Sequence, residues 1–386
     1  MFAESIEGKS WRVRRGLLGG LLFGGCWMVA ATCGAVEPAA LKQAFAKQFL
    51  VGAAIGTEQI AIPDSASLQL AARQFSSITP ENMLKWAEVH PALKDFNFAP
   101  ADRFVKFGTQ NGMFVVGHCL VWHNQTPAWV FADDAGKPLS REALLARMRE
   151  HIATVVGRYK GRVGGWDVVN EAIDDDGTLR KTKWREIIGD DYVEKAFRFA
   201  HDSDPKAELY YNDYNEWKPE KRRAIKELVR GLQAKGVPID GLGLQGHWGL
   251  DYPSADEIEA MFQDYSDLGV KLMITELDMT VLPDAQRARG ADITRNEKLR
   301  KELDPYAAGL PAAVQKKLAE RYAEVFRIFV KHADKLDRVT FWGIDDGQTW
   351  RNNWPMRGRH DYPLLFDREL RQKTAFEAVL QTAERQ

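Results

Sequence analysis

Two glutamates stand where their neighbours suggest chemistry. Glu171 follows Asn170 at the end of the apolar run Gly165–Val169, in the string WDVVNEA. Glu276 follows the run Val270–Thr275, with Asp278 two residues on. A single glutamate at the end of a strand is usually structural. Two of them, accompanied at other strand ends by His118, Trp122, His123, Gln245, His247 and Trp350, suit a pair of carboxyl groups facing each other across a cleft. Hydrolysis of a glycosidic bond needs that pair: one carboxyl protonates the departing oxygen while the other attacks the anomeric carbon or activates water. The acid must hold a proton near neutral pH, so desolvation or the second carboxylate has to raise its pKa. This chemistry requires no cofactor.

Other signals are weaker. Gly241-Leu242-Gly243-Leu244-Gln245-Gly246 spells GxGxxG, but a dinucleotide fingerprint opens directly into a helix. Here His247-Trp248 intervene and the next helix begins only near Ser254, so the glycines read as a strand and its turn. His118 and His123 have no paired metal-ligand spacing. Asp174-Asp175-Asp176 lacks the spacing of a calcium loop and reads as a solvated turn. Cys119, in Gly117-His118-Cys119-Leu120-Val121, reads as an inert buried thiol.

The elements that would position these residues alternate along the chain. Short apolar runs at Phe49–Ile55, Phe75–Ile78, Phe114–Gly117, Gly165–Val169, Glu208–Tyr211, Gly241–Leu244, Val270–Thr275 and Val339–Gly343 read as eight strands. Between them lie helical patterns: Pro100–Gln110 with proline at its first position, Ser140–Tyr159 with an apolar period of 3.6, Tyr192–Ala200, Pro219–Ala234 closed by Gly236, and Val314–His332; Ala375–Ala383 is the last. Ser254 and Glu257 spell a capping box for one more. Eight strands alternating with helices predict an α/β fold, a (β/α)8 TIM barrel built as a single domain over residues 36–386. Active sites of such barrels lie at the C-terminal strand ends. There the fourth and seventh strands are expected on opposite sides of a cleft. The stretch from Val281 to Leu310 is too long for an ordinary loop and is expected to cap the site.

Tryptophan is abundant at 12 residues. Trp86, Trp122, Trp129, Trp217, Trp248, Trp342, Trp350 and Trp354 all lie in or shortly after strand ends. Indole faces suit the flat C–H faces of sugar rings. Roughly half are expected to touch a ligand, the others filling the barrel mouth.

The motifs become specific in combination. TPENMLKW, GHCLVWHNQTPAW, WDVVNEA, YYNDYN, GLQGHW, ITELDM and FWGIDDGQTW occur in that order, and the chain thereby resembles glycoside hydrolase family 10, the endo-β-1,4-xylanases, across about residues 40–380. The resemblance implies Glu171 as general acid/base and Glu276 as nucleophile, with net retention. It implies that Glu81, Asn82, Lys85, His118, Trp122, Asn170, Gln245, Trp342 and Trp350 bind the substrate, xylan or a xylo-oligosaccharide. His247 is then expected to hydrogen-bond the nucleophile and Asp278 to steady His247. The run Asp346-Gly347-Gln348-Thr349 departs from the family pattern, away from the catalytic pair. A barrel β-1,4-glucanase and a polysaccharide-binding barrel without chemistry are the rival readings.

Composition sets the context. Residues are 45% hydrophobic and 28% charged, which excludes a disordered chain. Net charge is −1, so no basic field exists to hold nucleic acid or an anionic membrane. Lys9, Arg12, Arg14 and Arg15 precede an apolar run from Leu17 to Ala31, too short for a span, and small residues to Ala35. Residues 1–35 read as a bacterial-type secretory signal, with Arg14-Arg15 loosely resembling a twin-arginine motif. The expected product is a secreted or periplasmic monomer without stable membrane association. It would carry Cys119 as its one cysteine, hence no internal disulfide.

Overall fold

The computed structural model describes residues 40–283, 302–355 and 357–383. The leader assigned to residues 1–35 lies outside the described residues, as does 284–301 of the segment expected to cap the site.

Eight parallel strands close a barrel: β1 (Leu50–Ile55), β2 (Ser77–Pro80), β3 (Phe114–Val121), β4 (Gly165–Asn170), β5 (Glu208–Asp213), β6 (Gly241–Leu244), β8 (Lys271–Thr280) and β9 (Leu336–Phe341). β6 pairs with β8, and β9 pairs with β1, with Val51 opposite Val339. A short strand, β7 (His247–Gly249), runs beside the far end of β8, with His247 opposite Asp278. The (β/α)8 expectation holds. The strands are buried along almost their whole length, as strands with both faces covered must be. That is why they read as continuous apolar runs rather than alternating ones.

Two strands run further than their apolar letters suggest. β3 continues to Val121 and β8 to Thr280, so His118, Glu276 and Asp278 lie within strands rather than after them. Their polar side chains point into the barrel mouth, where hydrogen bonds replace apolar burial. β4 and β8 stand three positions apart in the ring of eight, one short of diametrically opposed. The gap is spanned by a residue of β5.

Inside the barrel, glycines make room. A Cβ on Gly117 would lie 2.1 Å from the Trp166 ring, and one on Gly243 would lie 2.3 Å from Asn212 Oδ1. At the bottom, the buried guanidinium of Arg338 lies over the rings of Phe114 and Tyr210.

The outer helices begin where the sequence places caps. Ser140 Oγ accepts from the Ala143 amide, and Ser254 and Glu257 form the reciprocal box. The helix Ala99–Gln110 carries proline in its first turn. Helices at Thr57–Ala61, Ala66–Gln74, Trp86–Val89 and Lys183–Ile188 are too short for periodicity to reveal. Among the described residues no helix is long and apolar enough to cross a membrane.

Candidate active site

The C-terminal ends of β3, β4, β5, β6 and β8 deliver one connected polar network. Glu171, the first residue after β4, has a positive φ of 59°, a left-handed conformation that costs a non-glycine residue of order 1–3 kcal/mol. Its carboxylate accepts from Trp122 Nε1 at 2.8 Å on one oxygen. The other oxygen accepts from Gln245 Nε2 at 3.1 Å and Asn170 Nδ2 at 3.2 Å. His123 Nε2 stands 4.0 Å away. Burial, with Arg180 nearby, lowers the His123 pKa to about 4, so this imidazole is neutral at working pH.

Asn212 on β5 joins the two glutamates. Its amide nitrogen donates to Asn170 Oδ1 and to Glu276 Oε1, both at 2.8 Å. Its carbonyl accepts from Thr275 Oγ1 at 2.6 Å, which fixes the orientation of the amide.

Glu276 has a different kind of neighbour. His247 Nε2 lies 3.1 Å from its second oxygen, and His247 Nδ1 lies 2.9 Å from Asp278 Oδ1. Asp278 is fully buried and also receives Arg351, through Nε at 2.8 Å, and Trp350 Nε1 at 2.7 Å. Burial acts to lower the His247 pKa, but the charge of Asp278 and hydrogen bonds to both carboxylates raise it to about 9. Burial would likewise push Asp278 up, and Arg351 with His247 brings it down to about 2. Glu276 follows the same logic. Burial raises its pKa, the His247 hydrogen bond and the charges of His118, His247 and Lys85 oppose that, and the net direction is down. The surroundings therefore favour the carboxylate form of Glu276.

Beside this network, Lys85 Nζ donates to Asn82 Oδ1 at 3.1 Å and sits 4.8 Å from the Trp122 ring centroid. Burial raises the Glu81 pKa, and the charges of Glu276 and Glu58 add to it against Lys85 and Asn82. His118 Nδ1 is 2.8 Å from Asp167 Oδ2, which leaves the far side of its ring facing the mouth. Trp342 meets His118 and His247 edge-on, at centroid distances of 5.3 and 6.3 Å, and Trp350 meets His247 at 5.1 Å. Glu81, Asn82, Lys85, His118, Trp122, Asn170, Glu171, Gln245, His247, Glu276, Asp278, Trp342 and Trp350 thus meet at one end of the barrel, with His247 within hydrogen-bond distance of Glu276 and Asp278.

The family model described as Glycosyl hydrolase family 10 matches residues 40–382. The chain belongs to glycosyl hydrolase family 10. Endo-1,4-beta-xylanase A of Xylanibacter ruminicola is 44% identical over 89% of this chain and 93% of its own length. An endo-1,4-beta-xylanase of Geobacillus stearothermophilus is 42% identical over 88% and 97%. Among solved structures, a GH10 endoxylanase retrieved from sugarcane soil metagenome matches with a TM-score of 0.85 at 45% identity, covering 90% of this chain and 100% of that one. A mutant structure in complex with xylotriose matches at 0.80 and 36% identity, covering 89% and 99%.

In this family 10 barrel the tryptophans divide. Trp86 and Trp248 are core residues rather than rim: each is at most 2% exposed. Trp86 stacks on His151 at 3.6 Å and Trp248 packs against Phe329. Their letters follow strand ends like the others, but short elements carry them inward. Sequence reasoning passed over three residues. Asn212 stood in the YYNDYN string and bridges the glutamates. Arg351 follows Trp350 directly and anchors Asp278. Gln125 donates to Asn82 Oδ1 at 3.3 Å, and its position in GHCLVWHNQTPAW was the available signal. The Asp174–Asp176 turn is not merely solvated, since Asp174 pairs with Arg180 at 2.8 Å and Asp175 with Lys218 at 2.6 Å. Cys119 is buried, and burial pushes its thiol well above the ordinary value, so it is inert. In the departing strand-end run, Asp346 pairs with Lys373 at 2.7 Å and Thr349 caps the Arg351 amide. Those residues build the loop that carries Trp350.

Proposed function

We propose that this chain is a retaining endo-β-1,4-xylanase with Glu276 as nucleophile and Glu171 as acid/base. The observation that carries the assignment of roles is the contrast between the two carboxyls. Glu276 faces the His247 cation, whereas the side chains that donate to Glu171 are all neutral: an indole and two amides. A charge-assisted partner favours the anion needed for attack, which gives that role to Glu276 and leaves the proton-transferring role to Glu171. In the first step a Glu276 oxygen bonds to the anomeric carbon, the glycosidic C–O bond breaks, and Glu171 gives its proton to the departing oxygen. In the second, Glu171 takes a proton from water, the water oxygen attacks the same carbon, and Glu276 leaves as a carboxylate. Two inversions return the β configuration.

Glu81, Asn82, Lys85, His118, Trp122, Asn170, Gln245, Trp342 and Trp350 are assigned to substrate binding, with His247 and Asp278 setting the nucleophile. The names of the relatives support xylan as substrate. Residues 1–35 are assigned as a leader, so that the mature enzyme would carry a net charge of −3 and act outside the cytoplasm as a monomer.

Xylan and cellulose differ by the hydroxymethyl group at C5. By the resemblance Trp342 and Trp350 roof the catalytic subsite; such an indole roof would leave little space at C5, and a small displacement of the reacting carbon costs about a hundredfold. The test compares aryl β-xylobioside with aryl β-cellobioside. We expect kcat/KM to favour the xylose substrate by at least ~30-fold, about 2 kcal/mol. Equal efficiencies would replace the xylanase reading with a glucanase.

A further inference from the structure

The turn that presents Glu171 is held by backbone and side-chain hydrogen bonds together. Backbone groups inside a barrel mouth must find partners, and residues 171–174 lie in no helix. The Glu171 amide donates to the Asn212 carbonyl at 2.8 Å. The Ala172 amide donates to Tyr211 Oη at 3.0 Å, and the Ile173 amide to Asp213 Oδ2 at 3.3 Å. The carbonyls converge on one residue. Arg180 donates from Nε to the Glu171 carbonyl at 3.0 Å and from a terminal nitrogen to the Ile173 carbonyl at 3.3 Å, while its own amide donates to the Ala172 carbonyl at 2.7 Å. The guanidinium is itself fixed by Tyr214 Oη at 3.0 Å and Asp174 at 2.8 Å. It lies largely out of solvent, at 17% side-chain exposure. A planar, five-donor group can serve several fixed acceptors at once, which an ammonium cannot.

We propose that Arg180 is the positioning residue of the acid/base, holding Glu171 in its left-handed backbone conformation so that the carboxyl meets the glycosidic oxygen. This rests on the assignment of Glu171 above. Arg180 makes no contact with Glu276, His247 or Asp278 among the described contacts of those residues. Its loss should therefore impair proton transfer and spare the nucleophile.

The test uses the full enzyme and the variants Arg180→Met and Arg180→Lys, with Glu171→Ala as reference. Substrates are aryl β-xylobiosides with good and poor leaving groups. Proton transfer from a placed group is worth about 10²–10⁴-fold, and a displacement of about an ångström costs roughly a hundredfold. Arg180→Met should lose about 30-fold or more in kcat/KM for the poor leaving group, with less than about threefold lost for the good one. KM should change little on the poor leaving group and fall together with kcat on the good one, as the glycosyl-enzyme accumulates. Added azide should raise kcat on the good leaving group and yield the β-azide, because an anion needs no base. Arg180→Lys should show the same selective pattern at smaller size, and it carries the test if the methionine variant fails to fold. Equal losses on both leaving groups, no loss, or no azide rescue in the folded Arg180 variants would overturn the inference. If Glu171→Ala itself gives no β-azide, it is the Glu171 assignment that falls. If Glu171→Ala gives the β-azide and the Arg180 variants do not, only the role of Arg180 falls.

Discussion

Asp278→Asn offers the most direct probe of how the barrel prepares Glu276. Asp278 is fully buried and takes hydrogen bonds from His247, Arg351 and Trp350. The His247 pKa of about 9 stands well above an ordinary imidazole near 6.5. At 1.36 kcal/mol per tenfold change, that is about 3 kcal/mol favouring the cation. The charge of Asp278 is the largest favourable cause, with Glu276 contributing less. An asparagine keeps the shape and removes the charge, so burial would prevail and the imidazole pKa should fall below about 7. Glu276 would then face a neutral histidine at pH 7, and its own pKa should rise. Titration of the His247 ring protons by NMR reads the first effect. The acidic limb of the kcat/KM profile, which should move to higher pH, reads the second. The variant also leaves Arg351 buried without its carboxylate, so a loss of about 3–5 kcal/mol in stability should accompany it. A His247 pKa still near 9 in Asp278→Asn would refute the electrostatic account of the nucleophile.

Other outcomes follow from the same geometry. Glu276→Ala should leave less than about a hundredth of wild-type activity on xylan, since no glycosyl-enzyme forms; a higher residual rate in a steady-state assay would contradict the nucleophile assignment. Stability should depend on pH through His247: its folded pKa is raised, so its contribution of up to about 3 kcal/mol is complete below about pH 6.5 and is lost as pH rises through about 9, and denaturant midpoints across that window check it. Asp278 works in the other direction: its pKa is depressed, so its contribution is present above about pH 4 and fades as pH falls toward 2. Gly243→Ala should destabilise the fold and cut kcat together, because the added methyl would crowd Asn212 at 2.3 Å; a variant unchanged in both thermal melting and kcat would show that Asn212 is free to move.

The sequence by itself determined the barrel and its strand order, and it singled out Glu171 and Glu276 as the two carboxyls proposed to react. Parallel strands buried on both faces leave continuous apolar runs, and the polar letters that interrupt their C-terminal ends can only be there for the mouth. Caps such as Ser254 with Glu257 are local, so they too were legible. Tertiary structure alone decided what depends on contacts between distant strands. That β3 and β8 continue through His118 and Glu276 rests on pairing with neighbours, which periodicity does not see. Trp86 and Trp248 share the sequence position of rim tryptophans but point into the core, because the short elements carrying them turn their side chains inward. Asn212 and Arg351 gained their roles only when β5 came to lie between the glutamates and the Trp350 loop folded over Asp278. The protonation of His247 was set in the same way. Its sequence neighbours carry no charge, and the carboxylates that hold its proton come from β8, 29 and 31 residues away.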